Sequence, residues 1–150
     1  FCNERGIIMT IETEGSHFVE TDYPIDLISL SPKFSNSIPQ LGAKTPKGVE
    51  VTERMIATHN RKRMNTEEIK KTLAYHKDYH YKPVWDGTVS NLEDRIELGI
   101  PKDKTFVMPA GDNRETLIIM YPIVFEMCAE HGYNMTGRDH IIAYDTKIMV

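Results

Sequence analysis

The chain has 150 residues, 40% of them hydrophobic and 27% charged, and carries a formal net charge of −4 at pH 7. That length suits one domain, able to bury roughly 68–70% of its unfolded surface. No segment holds the ~20 apolar residues that a membrane-spanning helix requires, and the acidic balance excludes a global basic field that would recruit nucleic acid.

The chain opens Phe1-Cys2-Asn3, with neither an initiator methionine nor a targeting pattern, so a preceding segment is expected. Apolar runs then alternate with helical patterns. The first predicted strand, 6–11, leads to Glu12-Thr13-Glu14-Gly15, and the second, 25–30, leads to Ser31-Pro32-Lys33. Between 42 and 64 the pattern fits either a helix or an ordered loop. Arg61-Lys62-Arg63, followed by Glu67-Glu68, reads as a solvated helix face, with an anion contact as the alternative. Asn65-Thr66 starts a helix whose stripe holds Ile69, Leu73 and His76.

A third strand, 79–85, ends at Asp86-Gly87-Thr88. Ser90 and Glu93 have capping-box spacing ahead of another helix. A fourth strand, 104–109, ends at Ala110-Gly111-Asp112-Asn113. Asp112 and Glu115 repeat the capping spacing before a long apolar helix, which Pro122 should kink or divide and Gly132 should stop. The last predicted strand, 139–144, ends at Asp145-Thr146-Lys147.

Such alternation favours an α/β fold with a parallel sheet, whose ligands bind outside the carboxyl ends of the strands. Glu12, Ser31, Asp86, Gly111 and Asp145 are therefore expected on one edge. Ser31, Ser35 and Ser37 offer hydroxyls to a diol or a carboxylate, and Lys33 offers a charge to a carboxylate or phosphate. The same residues would also serve as a polar surface turn. Glu12 could accept from an amine or a ribose hydroxyl, and Gly15 would let backbone approach a ligand, although a solvated turn explains both. Arg138 and His140 flank the last predicted strand.

The six histidines show no HExxH pairing, so a protein-built metal site has no support, and no phosphate-loop or nucleophile-elbow pattern occurs. Trp85, Tyr79 and Tyr81 read as sheet packing. Cys128 reads as a small buried hydrophobe. Two cysteines without CxxC spacing exclude a disulfide framework and fit a reducing cytoplasm.

Taken in order, "MTIETEG", "IDLISLSPKFSNS", "YKPVWDG", "FVMPAGDNRE" and "EHGYNMTGRDHIIAYDTKIMV" resemble the second half of the 7-carboxy-7-deazaguanine synthase family, which are radical S-adenosylmethionine enzymes of queuosine and 7-deazapurine biosynthesis. The resemblance spans almost the whole chain. It implies the C-terminal half of a partial (β/α) barrel, residues 1–150 forming part of one domain. It also implies ring contraction of 6-carboxy-5,6,7,8-tetrahydropterin to 7-carboxy-7-deazaguanine, with S-adenosylmethionine, a [4Fe–4S] cluster and Mg²⁺.

Carried over by position, Glu12, Thr13, Gly15, Ser31, Lys33 and Ser37 would line the S-adenosylmethionine side. Lys33, Arg138 and His140 are candidates for the pterin carboxylate. The family's three-cysteine cluster motif is not in this chain, so on this reading the chain alone would be inactive. Its C-terminal residues 144–150 depart from the family's Trp-Gly-Asn ending. The resemblance further implies a cytoplasmic enzyme, no direct nucleic-acid or membrane partner, and a possible homodimer. The alternatives are another radical S-adenosylmethionine enzyme, such as a glycyl-radical activase, or a non-catalytic small-molecule-binding half-barrel.

Overall fold

Among the described residues strand pairing is parallel, apart from one isolated antiparallel bridge between Lys44 and Glu50. The computed structural model describes residues 2–45, 47–63, 65–88 and 98–147. Among these residues six strands form two three-stranded sheets. The first holds β1 (Thr10–Thr13), β2 (Leu27–Leu30) and β3 (Tyr79–Tyr81); the second holds β4 (Val84–Trp85), β5 (Phe106–Pro109) and β6 (Asn134–Met135). The helices are α1 (Glu53–Arg63), α2 (Thr66–Tyr75), α3 (Arg114–His131) and α4 (Asp139–Tyr144). Among the described residues no helix is long and apolar enough to cross a membrane.

β1 runs beside β2 in the register Thr10 to Leu27 through Thr13 to Leu30, and Leu30 in turn lies opposite Tyr81. The expected third strand is one segment serving two sheets. Its first half pairs with β2, and its second half pairs with β5, where Val84 opposes Met108. Pro83 marks the changeover because it has no N–H for a ladder. Its carbonyl instead accepts from the Met108 N–H, while the Lys82 N–H reaches back to the Leu30 carbonyl.

The second predicted strand begins two residues before β2 for a local reason. The Ile25 N–H donates to His76 Nδ1 at 3.0 Å and the Ile25 carbonyl accepts from the Lys77 N–H. Those groups are thus tied to the end of α2 and cannot enter the ladder with β1. Burial lowers the His76 pKa, which favours the neutral ring that accepts this bond. β1 is an edge strand, and Ile7, Ile8 and Met9 before it are exposed.

α2 starts where expected, with the Asn65 side chain accepting from the Glu68 N–H. α3 starts one residue later than the Asp112–Glu115 spacing suggests. Its cap is Asn113, whose side-chain oxygen accepts from the N–H and hydroxyl of Thr116 at 2.9 and 3.0 Å. Gly132 ends it in the left-handed conformation, at φ 72°. Pro122 does not divide this helix. It lies on the exposed side, where solvent can satisfy the carbonyl it leaves unpaired. Within the uncertain stretch 42–64, the described residues include a bridge between Lys44 and Glu50 and then α1. The predicted Ser90–Glu93 cap lies outside the described residues.

One expected strand is a helix. Residues 139–144 form α4, with Ile141 buried. The sheet position beside β5 is taken by β6, where Phe106 opposes Asn134. With β4 on its other side, β5 has no edge left to pair.

Two apolar clusters underlie the sheets. Ile28, Leu30, Phe34, Ile69 and Tyr81 pack under the first, and Trp85, Val107, Val124, Met127 and Cys128 under the second. Trp85 and Tyr81 are therefore sheet packing, and Cys128 is a buried hydrophobe, as expected. Burial pushes the Cys128 thiol up to about 11.

Candidate functional site

The carboxyl ends of β2 and β5, with Val84 of β4 between them, open into one cleft of about 420 Å³. Ser31, Lys33 and Ser37 enter it from the loop after β2, and Gly111 from the loop after β5. Arg138 closes the far side from the start of α4. Pro32 and Phe34, both buried, hold the Ser-Pro-Lys loop down while Lys33 stays exposed. The alternation of buried and exposed residues within that loop aims the lysine outward.

Arg138 is placed by several groups. Its guanidinium donates to the Gly111 carbonyl, and its backbone N–H donates to the Tyr121 hydroxyl at 3.2 Å. Burial lowers its pKa, and the nearby Asp112 carboxylate partly offsets that. Gly111 keeps this corner tight, because a Cβ there would lie 2.9 Å from Leu117 Cδ2. The Asp86 carboxyl sits beside the cleft. Burial raises its pKa, but hydrogen bonds from Thr88 and Asn36 more than offset this and bring it below the usual value.

Glu12 forms a separate polar group with Lys82 and Ser29. Glu12 lies within β1, opposite Ser29, rather than beyond the strand end. Its carboxylate accepts from Lys82 Nζ at 2.9 Å and from the Ser29 hydroxyl at 3.2 Å. The hydrogen bond and charge of Lys82 hold it below the usual carboxylate range, with a smaller contribution from His140. His140 is exposed in the first turn of α4, so it and Arg138 flank a helix instead of the predicted strand. Asp145 is not at a strand end either. It caps α4, and its carboxylate accepts from the Arg114 N–H at 2.8 Å, which returns it to the same rim by way of α3.

Thr13 and Gly15 shape the rim from behind. The Thr13 hydroxyl accepts from the Gly15 N–H at 3.1 Å. Gly15 is buried at φ 75°, and a Cβ there would meet Ile69 Cγ1 and Leu30 Cδ1 at 2.7 Å each. Protein, not open space, fills the room that this glycine leaves.

A second cleft, of about 480 Å³, adjoins the first and shares Lys33. Its opposite wall is one face of α1, with Arg54, Thr58 and Lys62 spaced four apart. Ser37 and His59 link the two clefts. The Ser37 hydroxyl donates to the Phe34 carbonyl at 2.6 Å, which leaves its oxygen to accept from His59 Nε2 at 3.0 Å. The i, i+4, i+8 spacing was present in the sequence; what gave it no meaning there was the open choice between helix and loop over 42–64.

No protein-family model matches the chain, and no solved structure matches it. It is similar to a protein named 7-carboxy-7-deazaguanine synthase from Halobacterium salinarum, 28% identical over 150 residues, which covers 93% of this chain and 55% of that protein. The chain thus spans about half the length of the curated relative that it matches.

Proposed function

We propose that this chain is the cofactor- and substrate-clamping part of a 7-carboxy-7-deazaguanine synthase, a radical S-adenosylmethionine lyase with a partial (β/α) barrel. Its substrate would be 6-carboxy-5,6,7,8-tetrahydropterin, contracted to 7-carboxy-7-deazaguanine. The supporting observation is the convergence of Ser31, Lys33, Ser37 and Arg138 on one cleft at the carboxyl ends of parallel strands. The similarity to the halobacterial synthase supplies the chemistry by analogy.

In this reading Lys33 binds a ligand carboxylate by a charge-assisted hydrogen bond, and the Ser31 hydroxyl adds a weaker contact. Arg138, already oriented by the Gly111 carbonyl, presents its remaining N–H groups to the pterin carboxylate. S-adenosylmethionine, when bound, supplies the radical chemistry, while the protein orients it and excludes competing reactions. The residues present do not fit an iron–sulfur cluster. Cys128 is buried with a raised pKa, its thiol faces the Asn134 carbonyl, and among the described residues no group of three metal-binding side chains occurs. A cluster would need thiolates from outside this chain, and no step of the reaction is assigned to its residues through a metal.

Lys33 has no ion pair among the described residues, so its removal should cost little stability. In the full-length protein Lys33→Ala should weaken S-adenosylmethionine or the pterin acid by about 10- to 150-fold, the equivalent of roughly 1.5–3 kcal/mol. Ser31→Ala should cost on the order of 0.5–1.5 kcal/mol. Equilibrium binding of both ligands, with melting temperatures alongside, tests this. Unchanged affinity for both would return the loop to an ordinary surface turn.

A further inference from the structure

The second cleft concentrates positive charge on an acidic chain. Lys33, Arg54, Lys62 and Arg63 line it, with His59, against the single carboxylate of Glu14. Among the described residues no carboxylate forms an ion pair with any of these four cations. Among the described residues Arg63 hydrogen-bonds to the neutral Asn60 side chain, at 3.1 Å. The whole chain carries −4. A local excess of this sign therefore reflects the placement of side chains, not composition.

The helix that supplies most of these charges has no other evident task. α1 buries none of its residues, so the core does not require its amphipathic face. Basic residues in its last turn would suit the helix dipole on their own. Arg54, however, lies in the first turn, where the dipole disfavours a cation, and it faces the same cleft. Lys33 arrives from a different element altogether. Dipole stabilisation alone explains neither.

We propose that this cleft binds a small polyphosphate ligand of the nucleoside di- or triphosphate class. A monocarboxylate would leave most of the four cations unmatched, whereas a diphosphate carries two or more charges and enough oxygens for several donors. The Thr58 hydroxyl adds a neutral donor, and Met55 with Pro39 gives an apolar wall against which a ring can lie. A volume of about 480 Å³ suits a small molecule and not a duplex. Lys33 is shared with the neighbouring cleft, so an occupant here would draw the lysine away from that site. The inference does not depend on the synthase reading, because Arg54 and Lys62 line only the second cleft.

Calorimetric titration of the full-length protein with pyrophosphate tests it. Saturable binding is expected, and Arg54→Ala and Lys62→Ala should each weaken it about tenfold or more while leaving S-adenosylmethionine affinity unchanged. Arg61→Ala, on the same helix but outside the cleft, should change pyrophosphate binding little. Circular dichroism of each variant checks that α1 persists. Non-saturable binding at millimolar pyrophosphate would overturn the proposal. So would an equal loss in Arg61→Ala, which would indicate a diffuse field. Tight binding of an RNA oligonucleotide that pyrophosphate fails to displace would identify the surface as a nucleic-acid contact and reject the small ligand.

Discussion

Among the described residues, the two longest helices are held by different physics. α3 sinks Leu117, Val124, Met127 and Cys128 into the chain, so burial fixes it against the second sheet. α1 buries nothing. The Ser37–His59 hydrogen bond ties it to the Ser-Pro-Lys loop, and the Thr52 hydroxyl, which accepts from the Met55 N–H at 3.3 Å, only caps its start. Helices of the first kind define the scaffold. Those of the second kind keep a charged face free and sit at the low end of local stability, where binding elements are commonly found. Both clefts accordingly meet at the Ser-Pro-Lys loop rather than along α3.

The sharpest way to break this contrast is a pair of truncations. Leu117→Ala should destabilise the protein by about 2–5 kcal/mol, since Leu117 is fully buried against Gly111 and the site is too tight to collapse easily. Met55→Ala on α1 should stay within about 0.5 kcal/mol, because Met55 is exposed at the cleft wall. Urea unfolding midpoints compare the two directly. Losses of equal size would show that α1 is anchored more firmly than its exposure suggests.

Gly15→Ala asks whether the rim is built by packing or by ligand. The added methyl would strike Ile69 and Leu30 at 2.7 Å, and φ 75° is strained for any residue with a Cβ. Overpacking and backbone strain together should cost on the order of 2–4 kcal/mol. A variant with unchanged stability but impaired cofactor binding would instead return Gly15 to the ligand side.

Much of this was legible in the residues themselves, and the failures have local causes. The parallel sheet followed from apolar runs separated by helical patterns, and the cleft from Ser31, Lys33 and Gly111 standing just past strands. Residues 139–144 misled because Ile141, Ile142 and Tyr144 fit a short strand as well as a short helix. The competitor, Asn134–Met135, has no apolar run to announce it. It forms because β5 offers it backbone partners: Asn134 donates to the Thr105 carbonyl, and Thr136 to that of Val107. Pairing of that kind depends on tertiary context and leaves little trace in composition. Gly15 stayed open between ligand approach and positive φ because a glycine after a strand serves either purpose; the φ of 75° and the space filled by Ile69, 54 residues away, are set by the fold and not by its neighbours in sequence.

The smallest effect tests the exposed edge of the first sheet. Glu12 lies on β1 with its side chain 78% exposed, while Lys82, at 21%, comes from the segment that joins the two sheets. The hydrogen bond and charge of Lys82 lower the Glu12 carboxyl below its ordinary 4.5. A carboxyl lowered by folding stabilises the native state above its unfolded pKa, and that contribution is lost as pH falls through the folded value. Exposure keeps the amount small, about 0.2–1 kcal/mol at neutral pH. Lys82→Met retains most of the stem and removes only the charge, so the gap between wild type and variant should close as the solution is acidified. It should also shrink in high salt, which screens an exposed pair. Unfolding curves at neutral and strongly acid pH measure the gap. A difference that survives acidification undiminished would mean that Lys82 acts through its buried stem instead. The junction of the two sheets, and not the charge on the edge strand, would then be what the lysine secures.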